Sequence, residues 1–449
     1  MSSISHWFEK TSIQTRVASH FRTPLYRNGY ALMASTAATS ALGIVYWFIA
    51  ARSYPAEIVG RNSAVIATML FLAGAAGLFL DGALVRFLPR AGKASTRLII
   101  TSYLVSAMAA ALAASVFISG TPIWSPALAF LGKDPWIFTG FVLGTVTICI
   151  FSEQDGALTG LRQATWVPLE NSTYALIKII LLSIFAGLLP QYGIMASWTL
   201  PAGLLIVVIS MLIFRRLVPR HIQETEAIGE PPGFRRIARY TMGNYFGFLF
   251  YTAYLMLPPV IVLQLAGERA SAYFYLPWII ANSLRLFAAN MSNSLVVEGV
   301  IDRQKAVVYF KKSLINMLRL LLPLAGILFL LGPWILRIFG KDYSTEGLVL
   351  LRLLLLGVIP GSAVALNIGL TRILNRVTQT IIIQAVMAVL MLSLSFILLP
   401  RLGISGVGWA FLISQTGALV LIFATQSKLL QHREKVELLS SEMGNSSVQ

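Results

Sequence analysis

The sequence predicts an all-α polytopic membrane protein of about twelve transmembrane helices. Three observations carry that reading. Hydrophobic residues make up 57% of the 449 and charged residues only 12%, roughly half the charge of a soluble domain. Mean hydropathy is +0.75. Apolar runs of about twenty residues, the length that crosses a hydrocarbon core, recur along the chain between polar segments.

Taken in order, residues 1–29 carry Lys10, Arg16, Arg22 and Arg27 with no long apolar core and no A-x-A site, which is not a signal-peptide pattern. SHWFEKTSIQTRVASHF within them suits an amphipathic surface helix or a mobile basic tail. The spans then fall at about 30–50, 62–82, 98–118, 137–158, 168–189, 194–214, 241–264, 272–296, 314–336, 347–370, 378–399 and 406–427. Proline interrupts several, as in LPP at 257–259 and LLPL at 321–324. Membrane helices tolerate such kinks because neighbours re-satisfy the freed carbonyls.

The net charge of +17 resembles that of a nucleic-acid binder, but in a membrane protein it records orientation. With the N-terminus in the cytosol, 24 of the 35 Lys and Arg fall in inside segments, 7 in outside loops and 4 within spans. That asymmetry places both termini in the cytosol. The single cysteine, Cys149, excludes a disulfide framework and a Cys-based metal site.

The longest inside loop, 215–240, is basic and contains Pro and Gly, as a linker should. It divides the chain into an N-lobe at 30–214 and a C-lobe at 241–427, with a cytosolic tail at 428–449. The halves echo each other. LLPQYGI at 188–194 answers LLPRLGI at 398–404, and Arg162 answers Arg372, both 210 residues apart. Both halves start inside, so the echo predicts two six-helix lobes related by a parallel repeat.

DGAL occurs twice, at 81–84 and 155–158. Each copy sits where a predicted helix leaves the membrane on the inside, with arginine shortly after. Asp81 precedes Arg86; Asp155, with Glu153, precedes Arg162. Such acids and arginines either pair as an inner gate or anchor the helix ends at headgroup level.

Four cations lie within spans. An ionisable group at mid-bilayer costs about 2.5–3.5 kcal/mol on insertion scales, so it normally faces a cavity or a partner. Arg285 sits mid-span in IIANSLRLFAANMSNS, with Asn282 and Asn293 at near-helical spacing. Lys178 is central in NSTYALIKIILLS and either meets a cavity or snorkels. Arg319 and Arg352 complete the candidate binding set, although each lies near a span end, within snorkelling reach of the interface. A cationic cavity suits an anion such as a pyrophosphate. Rings in FYTAYLM (250–256) and AYFYLPW (272–278) would stack on sugar faces, or pack and anchor at the interface.

A glycan polymerase or ligase, the enzyme alternative, would need acids, bases or nucleophiles on the outer face. The outside loops are short, all four histidines fall on inside segments, and no P-loop, H-E-x-x-H or G-x-S-x-G pattern is present. No enzyme activity, cofactor or metal site is expected.

AARSYPAEIVG (50–60), SEQDGALTGLRQATWVPLENS (152–172), GNYFGFLFYTAYLMLPPVIV with GERASAYFYLPW (243–262 and 267–278) and ILRIFGKDYSTEGLVLLRLL (335–354) resemble segments of the MOP exporter superfamily, in particular its polysaccharide flippase branch. The resemblance spans most of the chain. It implies a V-shaped, two-lobed alternating-access transporter in a bacterial plasma membrane. Its substrate would be a polyprenyl-pyrophosphate-linked oligosaccharide used in O-antigen or related surface polysaccharide synthesis, and its partners other membrane proteins of that assembly. It implies coupling to H+ or Na+, for which Asp81, Glu153, Asp155 and Glu170 are the candidate acids, and it places Arg52 and Arg61 at the outer mouth. A multidrug antiporter of the same fold is the rival. Against it stand the basic balance and the absence of acids from the first and seventh helices.

Overall fold

The computed structural model describes residues 24–225, 233–301 and 306–446. Among these there is no strand. The helices are α1 (Pro24–Ser53), α2 (Ala56–Ala76), the short α3 (Leu80–Phe87), α4 (Ser95–Trp124), α5 (Pro135–Gly160), α6 (Trp166–Leu188), α7 (Gly193–Leu212), α8 (Val218–Thr225), α9 (Phe234–Ile301), α10 (Ala306–Phe339), α11 (Lys341–Ile373), α12 (Val377–Leu402) and α13 (Ile404–Ser446). Ten described helical segments are long and apolar enough to cross a membrane. α9 holds two crossings, because Gly267 (φ 86°, ψ 177°) breaks it in the middle, and α1, at 30 residues, is also of spanning length. Twelve crossings result among the described residues.

The packing inverts the pattern of a soluble bundle. On α4 the stripe Ser102, Ser106, Ala110, Ala114 and Ile118 is buried, while Leu104, Met108, Leu112 and Val116 on another face are exposed. Lipid is as apolar as leucine, so large side chains stay outward and small ones let helix backbones approach.

The two halves repeat. α6 and α12 begin at Trp166 and Val377, and α7 and α13 at Gly193 and Ile404, each 211 residues apart. The packing partners repeat as well. In the first half α4 packs on α5, α1 on α6, α5 on α7 and α6 on α7; in the second α10 packs on α11, the first part of α9 on α12, α11 on α13 and α12 on α13. The fold is therefore two six-helix lobes related by a parallel repeat.

The second span differs from expectation. It runs Ala56–Ala76 rather than 62–82 and stops at a break. Leu78 and Phe79 adopt φ of 52° and 60°, a region costly for non-glycine residues. The Phe79 ring packs on Tyr240 and Phe248 at centroid distances of 6.0 and 5.6 Å, which offsets that cost. The first DGAL consequently opens the separate α3, and the second lies within the last turns of α5. FLAGAAGLFLDGAL is apolar through the break, so periodicity gives no sign of it.

The two DGAL copies meet. A Cβ placed on Gly156 would lie 2.8 Å from both Cα and O of Asp81, and one on Gly160 would lie 2.6 Å from the Leu84 carbonyl. The glycine of the second copy is what lets α5 touch the backbone of the first. The described parts of the inter-lobe linker, 215–225 and 233–240, are largely helical. A π-turn, Ile213–Leu217, leads from α7 into α8, and His221 on α8 hydrogen-bonds the Leu88 carbonyl at 3.0 Å. The predicted tail at 1–29 lies almost wholly outside the described residues, and α13 continues as helix beyond the predicted span to Ser446.

Candidate functional site

α2 forms the seam between the lobes, lying against both parts of α9. At the end where α1 gives way to α2, Arg61 Nε reaches Glu268 Oε1 at 2.6 Å and Arg269 reaches Glu57 at 2.9 Å. Arg52 donates two hydrogen bonds to the Ile338 carbonyl, at 2.6 and 3.0 Å. Gly60 lets the helices close, since a Cβ there would lie 1.8 Å from the Glu268 carbonyl oxygen. At the opposite end the seam is aromatic. Tyr240 packs on Phe79 and Phe87, the Arg86 guanidinium lies 4.5 Å from the Tyr240 centroid, and the Tyr245 hydroxyl donates to the Ala75 carbonyl at 3.0 Å.

This distributes the anticipated gate residues unexpectedly. Among the described residues, neither Asp81 nor Asp155 forms an ion pair with Arg86 or Arg162. Arg86 and Arg162 are exposed. The ion pairs that join the lobes lie at the Arg61 end instead. Glu57, Glu268 and Arg269 carried no sequence signal by themselves. Their reciprocal charges, Glu57 and Arg61 on α2 against Glu268 and Arg269 on α9, show only once the two helices are paired.

The second lobe encloses a cavity of about 50 Å³ whose lining includes Tyr251, Tyr254, Arg285, Val364, Met387 and Gln415. Arg285 Nε donates to Asn282 Oδ1 at 2.9 Å, and another guanidinium nitrogen donates to the Tyr251 hydroxyl. The guanidinium also sits 5.4 Å from the Tyr251 ring centroid. No carboxylate pairs with it among the described residues. Gln415 donates to the Tyr254 hydroxyl, and its own Oε1 is buried without a partner. The chemistry is that of an anion- and hydroxyl-binding wall: a permanent cation with undercommitted donors, phenols and an amide. Gln415 was missed by sequence reasoning. The available signal was an uncharged amide in the apolar run AFLISQTGALV, since such groups are buried in membrane helices at a cost unless partnered.

The remaining candidate binding residues do not line this cavity. Asn293 and Arg319 are exposed. Arg352 lies over Phe329 at 5.0 Å, and its Nε is buried without a partner. Lys178 is in the other lobe, buried among Tyr46, Tyr174 and Trp198. It does not snorkel.

The first lobe gathers the acids. Glu153 and Glu170 are both only 2% exposed. Ser106 donates to Glu153 Oε1 at 3.2 Å, while Glu153 Oε2 and both Glu170 oxygens have no partner. Asn171 donates to both oxygens of Asp155 at 3.3 Å, and the Asp81 backbone lies against Gly156, the residue after Asp155. The fold thus draws the four candidate acids, scattered over 90 residues of sequence, to one region of the first lobe. The described residues contain no group of His, Cys, Asp and Glu arranged to hold a metal ion. Cys149 is buried, with its thiol toward the Ala73 carbonyl at 3.4 Å.

No protein-family model and no curated protein matches the sequence. Solved structures match its fold. An inward-facing multidrug resistance MATE family transporter of the MOP superfamily superposes with a TM-score of 0.66 at 16% identity, over 89% of this chain and 96% of that one. The lipid II flippase MurJ, in an inward closed conformation, gives 0.64 at 14% identity, over 88% and 87%. A MOP superfamily transporter from Pyrococcus furiosus, described as having a binding pocket of reverse polarity, gives 0.59 at 14% identity, over 89% and 94%. The chain shares the fold of these structures, and its apolar helices make it a multi-pass membrane protein.

Proposed function

We propose that this protein flips a polyprenyl-pyrophosphate-linked oligosaccharide from the inner to the outer leaflet of a bacterial plasma membrane. One observation carries the reading: Arg285, a permanent cation in the middle of a membrane helix, lines a cavity with no carboxylate to neutralise it. The anion that compensates it would come from the substrate. A pyrophosphate accepts the guanidinium fork in two parallel hydrogen bonds. Tyr251, Tyr254 and Gln415 supply donors and ring faces of the kind that hold sugars. The Arg61 end faces outside in this reading, and its ion pairs hold the outer mouth shut. Transport draws on an H+ or Na+ gradient through Glu153, Glu170, Asp155 and Asp81. Against the polymerase or ligase alternative, the structures that share this fold are transporters and a flippase.

A second reading, export of organic cations, is favoured by the unpaired carboxylates Glu153 and Glu170 in the first lobe, which would attract positive charge.

The deciding experiment is lipid extraction from cells that lack the protein, with wild type or Arg285→Ala restored. The flippase reading requires polyprenyl-pyrophosphate oligosaccharide to accumulate on the cytosolic side and wild type alone to clear it. Absence of accumulation, with sensitivity to cationic compounds, would replace it with the second reading. Clearance by Arg285→Ala would remove Arg285 from the site.

A further inference from the structure

Three aromatic side chains from three helices converge on one ammonium. Lys178 Nζ lies 4.0 Å from the ring centroid of Trp198, 4.8 Å from that of Tyr46 and 4.9 Å from that of Tyr174. Tyr46 comes from α1, Tyr174 from α6 one turn before the lysine, and Trp198 from α7. The rings are fixed in place. The Tyr46 hydroxyl meets Ser197 Oγ at 2.8 Å and donates to the Ile194 carbonyl at 3.1 Å. The Tyr174 hydroxyl donates to the Trp198 carbonyl at 3.1 Å. Both phenols are therefore committed to α7, and the ring faces remain for the cation. The Tyr46–Trp198 and Tyr174–Trp198 pairs are edge-to-face, with centroids 6.1 and 6.4 Å apart.

Two further facts set this lysine apart. It is only 6% exposed, and no carboxylate pairs with it among the described residues. The rings are its listeners for charge, so to speak, in place of a counter-ion, and the neighbouring Trp198 Nε1 is itself buried without a partner. A box of π faces with apolar walls and no counter-charge is how proteins hold quaternary ammonium ligands. A primary ammonium, strongly hydrated in water, is a poor tenant for such a box unless the chain ties it there.

The geometry points to an organic-cation site in the first lobe that the protein fills with its own side chain: Lys178 is a tethered occupant that keeps small organic cations out. Lys178 then sets specificity by exclusion and does not touch the transported substrate. A tethered group competes at an effective concentration on the order of millimolar, so a free cation must bind the rings correspondingly more tightly to displace it. Removing the ammonium would leave the three rings, which are held by their own hydrogen bonds and edge-to-face contacts, as an unoccupied box. Glu170 lies eight residues before Lys178 on the same helix, about two turns away, and among the described residues Lys178 alone lies over these rings. The inference rests on the box and not on the identity of the lipid-linked substrate, and it stands against the second reading, in which organic cations are carried.

The test uses the purified full-length chain in detergent, titrated with tetramethylammonium and followed by calorimetry and tryptophan fluorescence. Lys178→Ala is expected to bind the probe at least tenfold more tightly than wild type, and adding Trp198→Leu is expected to abolish the gain. Lys178→Met keeps most of the stem's packing and removes the charge. It serves where the alanine variant does not purify folded, and the same direction of change is expected of it. Wild-type affinity in a folded charge-free variant, or a gain that survives Trp198→Leu, would overturn the proposal.

Discussion

Arg61 and Glu268, 207 residues apart in sequence, meet at 2.6 Å and join α2 of the first lobe to α9 of the second. Both side chains are partly exposed, 25% and 33%, so the pair contributes little to stability, about 0–1 kcal/mol. Its consequence is conformational. With cysteine at both positions, a short bifunctional cross-linker is expected to join them at high yield and to stop transport, while the melting temperature of the uncross-linked variant stays within a few degrees of wild type. Transport that continues in fully cross-linked protein would show that this seam does not open.

Gly60 should be more sensitive than the ion pair beside it. Any Cβ there runs into the Glu268 carbonyl, a backbone atom that cannot swing away. Gly60→Val is expected to cost about 1–3 kcal/mol, the usual penalty for overpacking, read as a lower melting temperature in detergent. It should also reduce the 61–268 cross-linking yield, because the two helices are held apart.

The contact between the two DGAL copies gives a test with an internal control. Gly156→Ala places a methyl 2.8 Å from the Asp81 backbone and is expected to destabilise by about 1–3 kcal/mol. Gly43→Ala, in α1, has no atom within 4 Å of the new Cβ. It is expected to be neutral or to stabilise by up to about 1 kcal/mol, the helical cost of glycine. Thermal melts of the two variants side by side check the contrast.

Arg285→Lys separates charge from shape. Lysine keeps the positive charge but loses the planar fork and its paired bonds to Asn282 and Tyr251. If the cavity grips a pyrophosphate, clearance of lipid-linked oligosaccharide should fall about tenfold or more in Arg285→Lys and further in Arg285→Ala, in line with about 1.5–3 kcal/mol for a charge-assisted hydrogen bond. Equal activity in wild type and Arg285→Lys would mean that charge alone matters.

Glu153→Gln and Glu170→Gln nearly preserve shape while removing an ionisable group. Each buried carboxylate has at least one oxygen without a partner, so neither variant is expected to lose stability; burying an uncompensated charge is the costlier state. If these acids couple transport to an ion gradient, the double variant should transport equally with and without an imposed H+ or Na+ gradient, measured in proteoliposomes. Unchanged gradient dependence would place coupling elsewhere.

Much of the fold was legible in the sequence. Span length and hydropathy are one-dimensional properties, because the bilayer imposes them on each helix separately. The repeat was legible because LLPQYGI and LLPRLGI mark the same junction, the entry into the last helix of each lobe. Arg285 stood out for the same physics, since a charge in mid-membrane is expensive wherever the helix ends up.

What only the tertiary structure decided is which polar groups meet. The break at Leu78–Phe79 depends on rings from α9 that hold Phe79 in place. The latch between Arg61 and Glu268, the contact of Gly156 with Asp81, and the part Gln415 plays beside Tyr254 all join residues far apart in the chain. Lys178 shows the limit most clearly. By sequence it was a candidate for an anion site, and by structure it lies in a box of three rings. Insertion energy fixes that a buried charge needs company, but the company is chosen by helix packing, which adjacent residues do not encode.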